Sequence, residues 1–258
     1  MLMLKIDINC DLGESFGAFK IGNDAKIMPH ITSANIACGF HAGDPMTIAQ
    51  TIALAKKHRV AVGAHPGLPD LIGFGRREMQ LTPEEAESYT LYQVSAIQGF
   101  AKAAGLSLQH VKPHGALYNM AAKDEKLSEA IVNAVKRLSK DLVVFALPKS
   151  ALAKTAAKAK LRVAHEFFAD RAYNPDGSLV SRRQKGAVIH DPHKVVQRAV
   201  TMVKEGTIQA FNGEILSLGT MHTICVHGDT PNAVKLAEAL KKGLRKAGVK
   251  VEPVGNFI

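Results

Sequence analysis

Seven short apolar runs punctuate this chain, at about residues 4–9, 33–37, 60–64, 108–112, 142–147, 162–167 and 222–227. Most are apolar or β-branched at every position rather than alternating. That pattern suits strands covered on both faces, which are parallel strands flanked by helices. Helical stretches fall between the runs, so residues 1–258 read as one parallel α/β domain with no break in composition. Asp44-Pro45, Asp191-Pro192 and Thr230-Pro231 each set a capping side chain before a proline, which has no N–H to lose in a first turn. Thr82-Pro83-Glu84-Glu85 adds a capping box ahead of a helix reaching about Ala104. Asn212-Gly213, between Ile208 and Leu218, signals a hairpin outside the regular βα pattern. Tyr173 to Arg183 is rich in turn residues and reads as a lid or binding loop.

The runs share an ending. Several stop at a histidine beside glycine: Cys38-Gly39-Phe40-His41, Gly63-Ala64-His65-Pro66-Gly67, Lys112-Pro113-His114-Gly115 and Val226-His227-Gly228. The first stops at Asn9-Cys10-Asp11-Leu12-Gly13-Glu14. When parallel strands stop side by side, such residues converge on one face. Polar endings on nearly every strand favour a closed barrel over an open sheet. No GxGxxG follows the first strand and no Walker A sequence occurs, which disfavours a dinucleotide fold and a P-loop.

Composition excludes several functions. The formal charge is +10, but there is no tryptophan and aromatics are 5%, so no stacking platform interleaves with the lysines. The lysines read as solvated helix faces, and no nucleic acid is expected as a partner. No run of about 18 apolar residues occurs, so no membrane span is expected. Asp7 interrupts the opening residues too soon for a secretory signal. Three cysteines without CxxC spacing fit a reduced, cytoplasmic protein.

His41, His65, His114 and His227 are the candidate functional histidines, set apart by their shared place after a strand. His30, His58, His110, His190, His193 and His222 read as surface, cap or packing residues. Lys112 ends a buried run, which is costly without an anion; it contacts substrate or phosphate, or forms a structural ion pair. Asp7 and Asn9 alternate with Ile6 and Ile8 and point into the barrel. Asp11, just past the strand, is a general base, a metal ligand or a turn aspartate. No HExxH or HxxxH spacing settles a metal. Arg76 and Arg171, on loops after the third and sixth strands, hold a carboxylate or phosphate, or form surface ion pairs. Cys10 and Cys38 read as small buried residues rather than nucleophiles.

Long motifs carry a resemblance. Asp7-Ile8-Asn9-Cys10-Asp11-Leu12-Gly13-Glu14-Ser15 comes first, and residues 32–45 (TSANIACGFHAGDP) second. Gly63 to Gly67, Gly73-Phe74-Gly75-Arg76-Arg77 and residues 111–119 (VKPHGALYN) follow in order, then Phe168 to Tyr173 and Gly186 to His190. From about Lys5 to Gly255 the chain resembles the LamB/YcsF family. Leu68 stands where an aromatic is expected and Lys185 where proline is expected; neither removes a motif His, Asp or Lys.

The resemblance implies a seven-stranded β/α barrel of the glycoside hydrolase/deacetylase type. It implies the role of the A subunit in an ATP-dependent 5-oxoprolinase, which opens 5-oxo-L-proline to L-glutamate with partner subunits B and C. ATP, with Mg²⁺, is then handled largely by the partners. Under that reading Asp11 activates or orients water, His41 and His65 shuttle protons, and Lys112 and His114 stabilise negative charge. Asp7, Asn9, Asn35, Asp44, Arg76, Arg171 and His227 hold substrate or shape the pocket. A free-standing metal-dependent deacetylase or amidohydrolase is the other enzymatic reading of these strand ends, and a ligand sensor on the same barrel is a non-enzymatic one.

Overall fold

Strand and helix alternate as the apolar runs require. The chain is described by a computed structural model that covers residues 3–181, 184–226, 228 and 232–258. The first half holds β1 (Lys5–Leu12), α1 (Asp24–Ile27), β2 (Ser33–Ala37), α2 (Pro45–His58), β3 (Ala61–His65), α3 (Pro83–Ala103), β4 (Leu108–Val111), α4 (Gly115–Ala121) and α5 (Glu125–Leu138). The second holds β5 (Val143–Ala146), α6 (Ala151–Lys158), β6 (Arg162–Phe168), α7 (Pro192–Glu205), β7 (Thr207–Gln209), β8 (Ile215–Ser217), β9 (Thr223–Val226), α8 (Ala233–Lys246) and β10 (Lys250–Val251).

Parallel pairing runs β1-β2-β3-β4-β5-β6-β9, and β9 returns to β1, so seven strands close a barrel. β10 adds to the lower end of β1 through Lys5↔Lys250 and Ile6↔Val251. The hairpin stands apart as the antiparallel pair β7–β8. β1 is longer than the sequence suggests. Asp11 pairs with Asn35 and Leu12 with Ile36, so Asp11 lies inside the strand rather than past it. The polar residue there ends the apolar run without ending the ladder.

Helix starts follow their caps. Asp44 accepts from the N–H groups of Met46 and Thr47 ahead of α2. Thr82 and Glu85 complete a reciprocal capping box on α3, and Asp191 caps α7. The Thr230-Pro231 start expected for the last helix lies outside the described residues. No described helix is long and apolar enough to cross a membrane.

A strand has period two, so β1 sends Ile6, Ile8, Cys10 and Leu12 one way and Asp7, Asn9 and Asp11 the other. The first set joins the main apolar core. The second enters the barrel, whose interior is a column of hydrogen bonds. At its base, Asp7 Oδ1 accepts from Thr32 Oγ1 at 2.6 Å and Ser33 Oγ at 2.7 Å, and Oδ2 accepts from the Thr223 hydroxyl. Above it, Asn9 Nδ2 donates to Glu166 Oε1 at 2.9 Å and Thr223 Oγ1 at 2.7 Å. Asn35 Nδ2 donates to Asn9 Oδ1 at 2.7 Å and Asp11 Oδ1 at 2.8 Å. His110, expected to be a surface, cap or packing residue, is fully buried and stacks on Phe145 at 4.1 Å. Burial lowers its pKa to about 3, which leaves the ring neutral beside Asn35.

Asp7 yields a stability prediction. Burial lifts its pKa from the ordinary 3.8 to about 6, against the pull of its three hydroxyl donors. The folded state therefore holds this proton more tightly than the unfolded chain. The contribution is present below pH 3.8 and is lost as pH rises through about 6, a change of about 3 kcal/mol. Asp7→Asn removes the titration. Denaturant unfolding should show the variant gaining on the parent between about pH 4 and pH 7; a difference that stays constant with pH contradicts the assignment.

Candidate active site

Lys112 sits at the top of the barrel column. Its amide donates to Ala64 O at 3.0 Å, so the chain beyond β4 still follows β3. Its ammonium, only 3% exposed, donates to Asp11 Oδ1 at 2.9 Å and pairs with Glu166 Oε1 at 2.9 Å. Asn9 Oδ1 lies at 3.3 Å and Cys225 Sγ at 3.1 Å. Burial works against this charge, but Asp11 leads the groups that more than restore it, and the pKa stands well above the usual lysine value. Burial pushes the Cys225 thiol well up, so it remains an S–H.

Three of the four candidate histidines meet beside this ammonium. His65, the last residue of β3, places Nε2 at 3.4 Å from Asp11 Oδ1. Its Nδ1 lies 2.6 Å from Lys112 O. His114 places Nδ1 at 3.0 Å from His65 Nε2 and Nε2 at 2.8 Å from Phe74 O. His41 stacks on His114 with ring centroids 3.7 Å apart and planes inclined by 2°. Glu14 Oε1 faces them, 3.6 Å from His41 Nε2 and 3.8 Å from His114 Nδ1. Burial, reinforced by the neighbouring imidazoles, holds His41 and His114 well below the usual histidine value. Both are therefore neutral near pH 7.

Two glycines make room for the stack. A Cβ on Gly67 would lie 2.4 Å from His41 Nδ1. Gly75 has φ +63°, and a Cβ there would lie 2.7 Å from His41 Cβ and 2.9 Å from His114 Cδ2.

A cavity of about 980 Å³ opens above the column. Asp11, His65, Arg76, Lys112, His114 and Arg171 line it. His41 lies behind His114 and is 1% exposed. Asn174, Ser178, Leu179, Val180 and Ser181 bring the expected binding loop to the rim, with its residues 182–183 outside the described set. Leu147, Tyr118 and Phe168 form an apolar wall. Arg171 donates to Val180 O at 2.6 Å, which ties the loop to β6.

Other expected site residues lie elsewhere. Asp7, Asn9 and Asn35 share the barrel face but sit below the cavity, fully buried. Asp44 is the N-cap of α2, and its second oxygen accepts from Thr47 Oγ1 at 2.8 Å and Gly17 N at 3.0 Å. The Thr47 N–H, then the Gly17 N–H and the Thr47 hydroxyl, hold its carboxyl down to about 2. His227 falls outside the described residues. Sequence reasoning leaves Glu166 out of the site. It sits before Phe167-Phe168 in a strand, and that neighbourhood is the available signal. Glu14 belongs to the acidic first motif, but it lies two residues past the strand, where strand periodicity gives it no role.

Known proteins share this sequence and this barrel. A model of the LamB/YcsF family matches residues 6–258. A Pyrococcus horikoshii protein named as the A subunit of 5-oxoprolinase is 54% identical over 255 residues, covering 99% of this chain and 100% of its own. A Bacillus subtilis protein of the same name is 51% identical over 254 residues, 98% of each chain. The crystal structure of a lactam utilization protein from Thermus thermophilus superposes with a TM-score of 0.92 at 48% identity, covering 96% of this chain and 99% of that one. Motifs, barrel and relatives converge, and the chain belongs to the LamB/YcsF family.

Proposed function

We propose that this chain opens a small cyclic amide, 5-oxo-L-proline, to L-glutamate, as the A subunit of an ATP-dependent 5-oxoprolinase with subunits B and C. The observation that carries the reading is the buried Lys112 ammonium beside Asp11 and the imidazoles of His65 and His114, at the floor of one cavity. Opening a lactam requires an attacking water, a stabilised oxyanion and a proton for the departing nitrogen. A five-membered lactam is a poor electrophile. Phosphorylation of its carbonyl oxygen makes the carbon attackable and supplies driving force from ATP. No nucleotide-binding motif is present in this chain, so we assign ATP and Mg²⁺ mainly to the partner subunits.

The side chains divide this work. Lys112, a fixed cation in a nearly dry site, stabilises charge developing on the carbonyl or phosphate oxygen. Asp11 Oδ1 already faces Lys112, Asn35 and His65, so Asp11 serves better as an orienter of water than as a free base. His65 and His114, joined at 3.0 Å, carry protons between the water and the ring nitrogen. Arg76 and Arg171 line the same cavity and suit the carboxylate or phosphate of an anionic substrate. Tyr118, Leu147 and Phe168 suit the methylene groups of a five-membered ring.

Glutamate release by the chain with and without the B and C subunits tests the assignment. The full complex should turn over 5-oxo-L-proline with ATP, and the chain alone should be inactive or nearly so. Activity of the lone chain on an acetylated sugar, abolished by chelator, overturns it in favour of a deacetylase. Asp11→Asn and His114→Ala should each lower turnover about 10²–10⁴-fold in a folded complex. Asp44→Ala should lower Tm and leave turnover unchanged, because its oxygens cap α2; a rise in KM without loss of Tm would restore it to the substrate site.

A further inference from the structure

The tautomers of His65 and His114 conflict. His65 Nδ1 faces a carbonyl, Lys112 O, at 2.6 Å. Only an N–H suits that position, so a neutral His65 carries its lone pair on Nε2. His114 Nε2 faces another carbonyl, Phe74 O, at 2.8 Å, so a neutral His114 carries its lone pair on Nδ1. These two lone pairs point at each other across 3.0 Å. Two acceptors at that distance repel unless a cation lies between or beside them. Two carboxylate oxygens add to the excess of acceptors: Asp11 Oδ1 is 3.4 Å from His65 Nε2 and Glu14 Oε1 is 3.8 Å from His114 Nδ1. His41, 1% exposed, has no hydrogen-bond partner on either ring nitrogen among the described residues. Its Nδ1 lies against Gly67, and its Nε2 faces Glu14.

We infer that Glu14, His41, His65 and His114 form a binding site for one divalent transition-metal ion of the zinc class. All four are buried, and one ligand atom from each fits within 4.8 Å of the others. Three imidazoles and a carboxylate suit zinc, which binds such donors at about 2.0–2.2 Å in tetrahedral sites. Hard cations such as Mg²⁺ prefer oxygen donors. The carbonyls of Lys112 and Phe74 act as the outer partners that fix ligand tautomers at metal centres. Each donor sits at or just beyond an element end: Glu14 follows β1, His41 follows β2, His65 ends β3 and His114 precedes α4. Sharing one ion asks one ring of the His41–His114 stack to turn out of parallel. Among the described residues, none hydrogen-bonds the His41 ring, which leaves it the freer of the two.

A proton shared by His65 and His114 is the competing occupant. It would relieve that pair and leave both His41 nitrogens without a hydrogen-bond partner among the described residues, whereas a metal ion accounts for all three rings. The inference does not depend on the lactam reading, and its test needs no turnover; an ion held there would occupy the lone pairs of His65 and His114, so the proton-carrying role given to them above would belong to the metal-free form alone.

Chelator-treated, full-length protein is titrated with ZnCl₂ by calorimetry, and with CoCl₂ while the visible spectrum is recorded. We expect one ion per chain, a Kd below about 1 μM, and the intense visible bands of tetrahedral Co²⁺. Glu14→Gln and His114→Ala should each weaken binding about 100-fold, while the surface variant His193→Ala should bind like the parent. Glu14→Gln keeps side-chain size and serves the comparison if His114→Ala fails to fold. Failure of the folded parent to bind Zn²⁺ saturably overturns the inference in favour of the shared proton. Undiminished binding in Glu14→Gln and His114→Ala assigns the ion elsewhere and overturns it equally.

Discussion

The buried ammonium of Lys112 is the constraint on which this barrel depends. A lone charge at that depth would cost several kcal/mol, and removing one member of such a pair typically costs about 3–5 kcal/mol. The charge is tolerated because Asp11 and Glu166 each approach it to 2.9 Å. Those carboxylates come from β1 and β6, the two strands on either side of β9. β9 adds Cys225 to the same ammonium. The seam where the barrel closes is thus fastened by one cation, and that cation is also the floor of the cavity.

From this point the polar interior becomes intelligible as a unit. Asn9 and Asn35 pass hydrogen bonds from Glu166 to Asp11, and His110 joins through Asn35 Oδ1 at 2.7 Å. Each group below the cavity fixes the orientation of one above it. The outer faces of the same strands are apolar and packed under helices, so the column cannot shift without disturbing the main core. The cavity-lining groups on strand ends then need little help from loops. The exceptions are the segment at Phe74 and Gly75, which supplies a carbonyl to His114, and the segment near Val180, which Arg171 holds.

Much of this is legible in the sequence, and the remainder has definite physical reasons. Apolar runs mark the strands, and Asp44, Thr82 and Asp191 mark helix starts. The convergence of His41, His65 and His114 follows from strands that stop side by side. Depth is harder to read. Period two tells that Asp7, Asn9 and Asp11 share a face. It does not tell which of them reaches the mouth, although a rise of about 3.3 Å per residue puts Asp7 roughly 13 Å below Asp11. Asp7 and Asn9 are therefore expected in the pocket and lie beneath it. Glu166 escapes sequence reasoning because its partner Lys112 is 54 residues away in sequence, and only barrel closure brings the two together. Asp44 shows the converse limit: an aspartate before proline at a strand end satisfies both a cap and a pocket pattern, and its hydrogen bonds here are those of a cap.

The charge state of Lys112 tests this account most directly. Selectively ¹⁵N-labelled lysine would allow its side-chain nitrogen to be followed by NMR, with Lys112→Met used to assign the signal. A slowly exchanging ammonium that persists beyond about pH 10, and shifts when Glu166→Gln is introduced, is the result we predict. A neutral amine near pH 7, or a signal indifferent to Glu166, would contradict the claim that this ion pair fastens the barrel and sets the site.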